Sequence, residues 1–482
     1  MQAIRGGASA QEDGQPLLER VLRTASLCLF ILSMIVTLLT HGGVYPAAIS
    51  VALLLMLASL VITYFTQGVS YSSQRSFYVI LGLWAVLFLY GLVQAVPMPS
   101  FMPAHPAWDT LSSFGIVADR YLSPSPFHVL SALLTISLPF ATALAALLVF
   151  RTDHDVDRAL RVFGLAGGVL AAFALVQFLL FPKSLMFGEK LFYHDSLTAP
   201  FVNRNTAATF YGVTLVALLC QIRLKDLWAF IRHTIDPGRG RRRVKTSVLW
   251  VPLASFVTFL ALMMTNSRAG IASCAVGLAV FLVGILLVPA PSQAGSGLIS
   301  SRETKRQRRV FQVTGAMLLV IIAFSVFAGR ALLRAEVQGL EDGRFCILPG
   351  TLRAIADNVW TGIGPGAFPA YFPAYRDPAC GLYGFWELAH NVYLDGFLAF
   401  GLIFWVVVAG ASVFMIIRLA QGLRQRRSRR PVVWAAIASC FIVGLHSGFD
   451  FSVQIPGFSA WWAFFLGLVL TICTNRSKYR KS

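Results

Sequence analysis

VLWVPLASFVTFLALMMTNSRAGIASCAVGLAVFLVGILLV, residues 248–288, decides how the chain is read. Two apolar runs, 248–264 and 268–288, are joined only by TNSR (265–268). Crossing a hydrocarbon core of about 30 Å takes about twenty apolar residues in a helix, so each run is able to span and the short turn forces the second to return. Outward from this hairpin the pattern recurs at 22–40, 45–65, 77–95, 128–150, 162–181, 205–221, 310–328, 391–417, 432–447 and 457–474. These make twelve predicted spans, an even number, with both ends in one compartment. The expected fold class is therefore all-α, a polytopic membrane bundle of about 12 transmembrane helices, with mean hydropathy +0.70 and 57% hydrophobic residues.

Charge sets the orientation. With the ends cytoplasmic, inner segments carry thirty of the forty Lys and Arg against nine acidic residues, and outer segments carry ten against twelve. That is the positive-inside pattern. The net charge of +19 is thus a topology signal rather than a nucleic-acid footprint. GRGRRRVK (238–245) and RETKRQRR (302–309) are read as inner loops touching anionic lipid. The domain reading is a disordered cytoplasmic N-terminus at 1–21, a transmembrane unit at 22–474 with a large outer loop at 329–389, and a basic cytoplasmic tail at 475–482. The first span has no small-residue cleavage site after it and is expected to remain as an anchor.

The seven cysteines show no metal-ligand spacing. Cys28, Cys220, Cys274, Cys440 and Cys473 lie in or beside spans, where a small soft side chain needs no further role. Cys346 and Cys380 share the outer loop, in an oxidising compartment, and are candidates for a disulfide. The trio Asp153, Asp155 and Asp157 falls on the inner side beside Arg151 and Arg158 and reads as a solvated charged loop, not a metal site. No metal or cofactor is expected.

The outer face carries the candidate chemistry. Leu348, Leu352, Ile355 and Val359 recur at helical spacing and predict an amphipathic helix at about 347–358 against the bundle. Gly362, Gly364 and Gly366 then end it, either as a turn or as backbone able to approach a ligand; no nucleotide-loop context accompanies them. His390 stands where the loop returns to the membrane and is placed to take a proton from an attacking hydroxyl, with Glu387 one helical turn earlier to orient the ring. The alternative is that His390 and Asn391 only cap the span. Arg268 sits in a turn too short to carry it away from the rim, which implies a partner or a polar cavity. Arg204, between Asn203 and Asn205 in APFVNRNTAA (199–208), stands similarly at the start of another span. Two such guanidinium groups suit a diphosphate, though each also suits headgroup snorkelling. His446 and Asp450, four residues apart, form either a structural pair or part of the same cavity, and Trp461 with Trp462 fits an aromatic belt.

In order, these landmarks are APFVNRNTAA (199–208), TNSRAG (265–270), GRFCILPGTLRAIADNVWTGIGPGAFPAYF (343–372), LAHNVYLDGFLAFGLI (388–403) and HSGFDFSVQIPGFSAWWAFFLGL (446–468). The set resembles the bacterial O-antigen ligase and polysaccharide polymerase superfamily, across about residues 160–475. That resemblance implies a GT-C-like ligase/polymerase fold in the bacterial inner membrane with its active site facing the periplasm. It implies metal-independent glycosyl transfer from an undecaprenyl-diphosphate-linked glycan to a sugar hydroxyl of lipid A-core or of another glycan, with inversion. By motif, Arg268 resembles the arginine expected to hold the donor diphosphate, Arg204 the basic residue found in some members near the Asn of the earlier motif, Arg344 the arginine opening the loop helix, and His390 the general base. Ligase and polymerase stay open at this point, as does a protein O-oligosaccharyltransferase. A transporter is the alternative of another class, opposed by the lack of matching broken spans in the halves 22–264 and 268–474.

Overall fold

The computed structural model describes residues 16–222, 247–287, 343–378 and 385–475. In chain order run α1 (Leu17–Leu39), α2 (Pro46–Gln67), α3 (Gln74–Gln94), α4 (Pro106–Ser113), α5 (Pro126–Val149) and α6 (Asp153–Leu180). A two-stranded hairpin, β1 (Ser184–Leu185) and β2 (Gly188–Glu189), precedes α7 (Arg204–Leu219), α8 (Ser247–Met264), α9 (Arg268–Leu287) and α10 (Gly343–Asp357). Then come α11 (Phe368–Tyr371), α12 (Val392–Phe400), α13 (Leu402–Gln425), α14 (Arg430–His446) and α15 (Pro456–Thr474).

Among the described residues nine helices are long and apolar enough to cross a membrane, so the chain is an all-α, multi-pass membrane protein. The shorter α7 and α8 coincide with two further expected spans. The expected span at 310–328 lies outside the described residues. One expected span is corrected: 391–417 is two helices, α12 and α13, broken at Gly401, whose φ of +58° ends the first. Starts follow from local chemistry elsewhere. Proline occupies the first turn of α2, α4, α5 and α15, where its missing N–H costs nothing. Thr152 and Asp155 form a capping box that begins α6 earlier than its apolar run.

The core centres on α7 and α15. Residues Asn205–Leu218 of α7 are all buried, and 83% of the spanning part of α15 is buried. Small residues permit this: a Cβ on Gly212 would collide with Cys274 of α9, and one on Gly277 with Ile442 of α14. Trp461 is a correction to the aromatic-belt reading. It is 3% exposed, stacks on Phe163 at 3.9 Å and donates its indole N–H to Thr214 Oγ1 at 3.2 Å. A span's hydropathy gives its length but not which face meets lipid.

The bundle has two chemically distinct ends. At one, Asn475 Nδ2 donates to Arg151 O at 2.9 Å, Arg151 Nη2 donates to Gly68 O at 2.6 Å, and Ser72 Oγ donates to Asn475 Oδ1 at 3.3 Å. Asp153 and Asp157 pair with Arg426 and Arg429, so the expected solvated loop is instead a set of interhelical ion pairs. At the other end Gly457 N–H donates to Gly42 O at 2.7 Å and Leu197 N–H to Met264 O at 2.8 Å. The loop helices sit here too, since Gln94 Nε2 donates to Thr361 O at 2.8 Å and to Ala399 O at 2.9 Å.

Within the loop, α10 confirms the predicted helix and half of its stripe, since Ile355 and Val359 pack into the satellite core. Ile347, Thr351, Ala354 and Ile355 face the satellite core with Phe368 and Phe372, while Leu348 and Leu352 stay exposed. Thr351 fits the buried face because its hydroxyl donates to Ile347 O at 2.8 Å, which removes its desolvation cost.

Candidate active site

Three segment starts converge at the end opposite the basic cluster. Asn203 caps α7 by accepting the Asn205 N–H at 2.8 Å, which sets Arg204 in the first helical turn. The TNSR turn meets it directly, for Ser267 Oγ donates to Asn205 Oδ1 at 2.7 Å and Arg268 opens α9. Asn266 adopts φ +51° and donates its amide to Asp195 O at 2.8 Å, which ties the turn to the 190s loop. In that loop Tyr193, at φ +59°, places its ring 5.1 Å beneath the Arg204 guanidinium. Two helix N-termini and two arginines, both half-buried, therefore share one corner. Helix N-termini present free N–H groups and partial positive charge to an anion.

The third segment holds the histidine. Residues 385–391 are not helical, Asn391 caps α12 by accepting the N–H groups of Tyr393 and Leu394, and His390 takes φ +53°. This removes the premise that put Glu387 on the histidine's face: Glu387 is exposed and off any helix. The carboxylate at the ring is that of Asp450. Its Oδ1 lies 3.5 Å from His390 Nδ1, and Asp450 has no exposed surface. Trp386 and Phe451 close on the ring edge-on, with centroids 5.5 and 4.8 Å away. Asn391 Nδ2 donates to Gly448 O at 2.8 Å and pins the capping turn to the start of the 448–455 loop.

Asn203 closes the circuit, since its Nδ2 donates to Asp450 Oδ2 at 3.4 Å. Contacts thus run without a break from the TNSR turn through Asn205 and Asn203 to Asp450 and His390. Behind them Thr209 shares a 2.5 Å hydrogen bond with His446 Nδ1 and donates to Asn205 O, while Ser452 Oγ donates to Asp450 Oδ2 at 3.4 Å. Asn205 Nδ2 and Thr206 Oγ1 are buried with no hydrogen-bond partner among the described residues, a costly arrangement that concentrates at functional sites.

Of the sequence candidates, Arg268, Arg204, Asn203, Asn205, Asp450, Asn391 and His390 gather here, and Glu387 does not join them. Arg344 lies in the first turn of α10, and its side chain is outside the described structure. Cys346 is disulfide-bonded, whereas Cys380 lies outside the described residues. Gly362, Gly364 and Gly366 face protein rather than a ligand: Gly364 N–H donates to Ala399 O at 2.9 Å, and a Cβ there would meet Val129 at 2.5 Å. Tyr193, Thr209 and Ser452 were not foreseen. No sequence spacing marks them, because contacts over 200 residues apart bring Thr209 and Ser452 together.

Residues 253–409 match the family described as O-antigen ligase. That match covers about a third of the chain and supports a likeness to the O-antigen ligase-like superfamily. The match takes in Arg268 and His390 and stops short of Asn203, Arg204, Asn205 and Asp450. No curated protein matches the chain. Members of that family are glycosyltransferase or ligase-type enzymes of the O-antigen ligase or polymerase kind, which act on glycans in a membrane setting.

Proposed function

We propose that the protein transfers a glycan from an undecaprenyl-diphosphate carrier to a sugar hydroxyl at the periplasmic face of the inner membrane, with lipid A-core as acceptor. The observation that carries this reading is the unbroken contact path from the TNSR turn to His390, which sets a candidate base within one cluster with two arginine-bearing helix starts. In the proposed topology residues 1–21 and 475–482 are cytoplasmic, 310–328 supplies a twelfth span, and the 329–389 loop is periplasmic.

Chemically, Arg268 and Arg204 hold the diphosphate, with α7 and α9 directed at it. Arg344 adds a third guanidinium from the loop helix. Negative charge grows on the bridging oxygen as its bond to the anomeric carbon breaks, so cations aimed there favour the transition state over the ground state. A divalent ion is not needed for that term. The Asp450 carboxylate, 3.5 Å from His390 Nδ1, favours the proton on that nitrogen, leaving Nε2 to accept the acceptor's hydroxyl proton as the new carbon–oxygen bond forms. Displacement from the face opposite the leaving diphosphate inverts the anomeric centre.

The test is purified protein in vesicles with a lipid-diphosphate glycan donor, with and without lipid A-core, and products resolved by mass and linkage. Single addition to the core with inversion is expected, and Arg268→Ala is expected to abolish it while leaving membrane insertion intact. Product ladders without core would assign polymerisation instead, and donor-independent solute uptake would sink the enzyme reading.

A further inference from the structure

From the end of the bundle opposite the site, a groove of about 550 Å³ runs between α1 and α6 along α15. Its walls are apolar along their length, from Leu27 and Leu38 of α1 to Val162 and Ala166 of α6, over a floor that includes Phe163 and Trp461. Its mouth is different in kind. Arg20, Arg23 and Arg158 stand there with one carboxylate, Asp155, which lies 3.9 Å from Arg23 and is already engaged with the N–H and hydroxyl of Thr152. Arg158 is exposed and makes no ion pair among the described residues.

A pocket of this size is in the range of specific small-molecule sites, about 300–1,000 Å³. From Arg23 to Leu38 the α1 wall is about 22 Å long at about 1.5 Å per residue, most of the thickness of a hydrocarbon core. A soluble metabolite does not pair an anionic head with so long an apolar body, and a neutral lipid leaves Arg158 unmatched. Basic mouths between spans on the positive side are suited to anionic headgroups.

We propose that this groove is a binding site for one anionic diacyl phospholipid of the leaflet at the basic end, its phosphate between Arg23 and Arg158 and an acyl chain lying against Phe163 and Trp461. The lipid bridges α1 and α6, two helices that share almost no close backbone approach. It is separate from the donor corner and does not rest on the glycosyl-transfer reading.

The experiment takes full-length protein in detergent, adds phosphatidylglycerol or phosphatidylcholine, and reads bound lipid by native mass spectrometry together with the melting temperature. Wild type is expected to retain phosphatidylglycerol and to melt higher with it. The double variant Arg23→Gln, Arg158→Gln is expected to bind it about thirtyfold more weakly, the loss of two interfacial cations. Ala166→Phe, which fills the trough while keeping both arginines, is expected to lose it as well. Equal retention of the two lipids, or unchanged retention in both variants, would overturn the site. So would displacement by a polyprenyl diphosphate at a concentration indifferent to the arginines, which would assign the trough to a carrier chain.

Discussion

Asp450 is the carboxylate that lies against His390, a pairing that their sixty-residue separation hides although Asp450 itself is marked as a cavity candidate. It is buried, with one oxygen 3.5 Å from His390 Nδ1 and the other facing Asn203 and Ser452. Such a carboxylate fixes the tautomer and aim of a general base. Replacing it with Asn is expected to lower kcat by about 10²–10⁴-fold, the usual contribution of a positioned base, with KM nearly unchanged. Glu387→Gln is expected to be close to wild type, since that side chain is exposed. Kinetics on the two variants with one donor settle this; equal losses would remove the distinction. Sequence reading chose Glu387 by assuming a helix through 387–390, yet Asn391 followed by Val392–Phe400 is an N-cap signature, and residues before a cap do not share a helical face. Lys190 makes a second residue-scale case. It is 4% exposed, its ammonium donates to Ser196 O at 2.5 Å, and burial pushes its pKa down to about 8 from 10.5. Because the folded pKa is the lower one, the charged amine costs stability below about pH 8, and the cost fades as pH rises toward 10.5. The melting temperature of wild type relative to Lys190→Met is therefore expected to rise between pH 7 and 9, and a flat difference would refute the buried-charge account.

At the scale of elements, the loop is held to the bundle through backbone rather than through its exposed leucines. Ile363 and Gly364 donate their N–H groups to Leu398 and Ala399 at the end of α12, and Gln94 of α3 bonds Thr361 and Ala399 from below. Gly364 has φ +93° and no room for a Cβ beside Val129 and Ser123. Gly364→Ala is expected to cost about 1–3 kcal/mol through backbone strain and overlap, and to speed hydrogen exchange at 361–366. Unchanged exchange there would mean that the junction does not hold the loop. This also explains what was legible. Apolar spacing found α10 nearly to its ends, but its buried face could not be read from apolar identity alone, because Thr351 and Ala354 suit a tight junction better than Leu348 and Leu352 do. The break at Gly401 was hidden for the same reason. Only glycine fits at that break, with φ +58° and Trp360 O, from a segment about forty residues away, where a Cβ would stand.

For the whole molecule, hydropathy and charge alternation carried most of the fold. Apolar runs marked the long helices within a few residues at most ends, because a bilayer sets the length of each span. Depth within the bundle was not legible, as Trp461 shows, since a core helix and a lipid-facing one share composition. The site was legible as a set of outward residues but not as a geometry. The claim on which both rest is that the ends of the bundle meet different compartments. Arg151, Arg426, Arg429 and Asn475 knit one end together, and Arg204, Arg268 and His390 stand at the other. In the proposed topology, positive-inside bias puts the first in the cytoplasm. His194 in the 190s loop and Ser428 before α14 are both exposed, one at each end. In intact cells His194→Cys is expected to react with a membrane-impermeant maleimide once the outer membrane is opened, and Ser428→Cys only after the inner membrane is broken. Labelling of both from one side would contradict the two-ended bundle, and the reverse pattern would move the arginine corner to the cytoplasm, where a periplasmic acceptor cannot reach it.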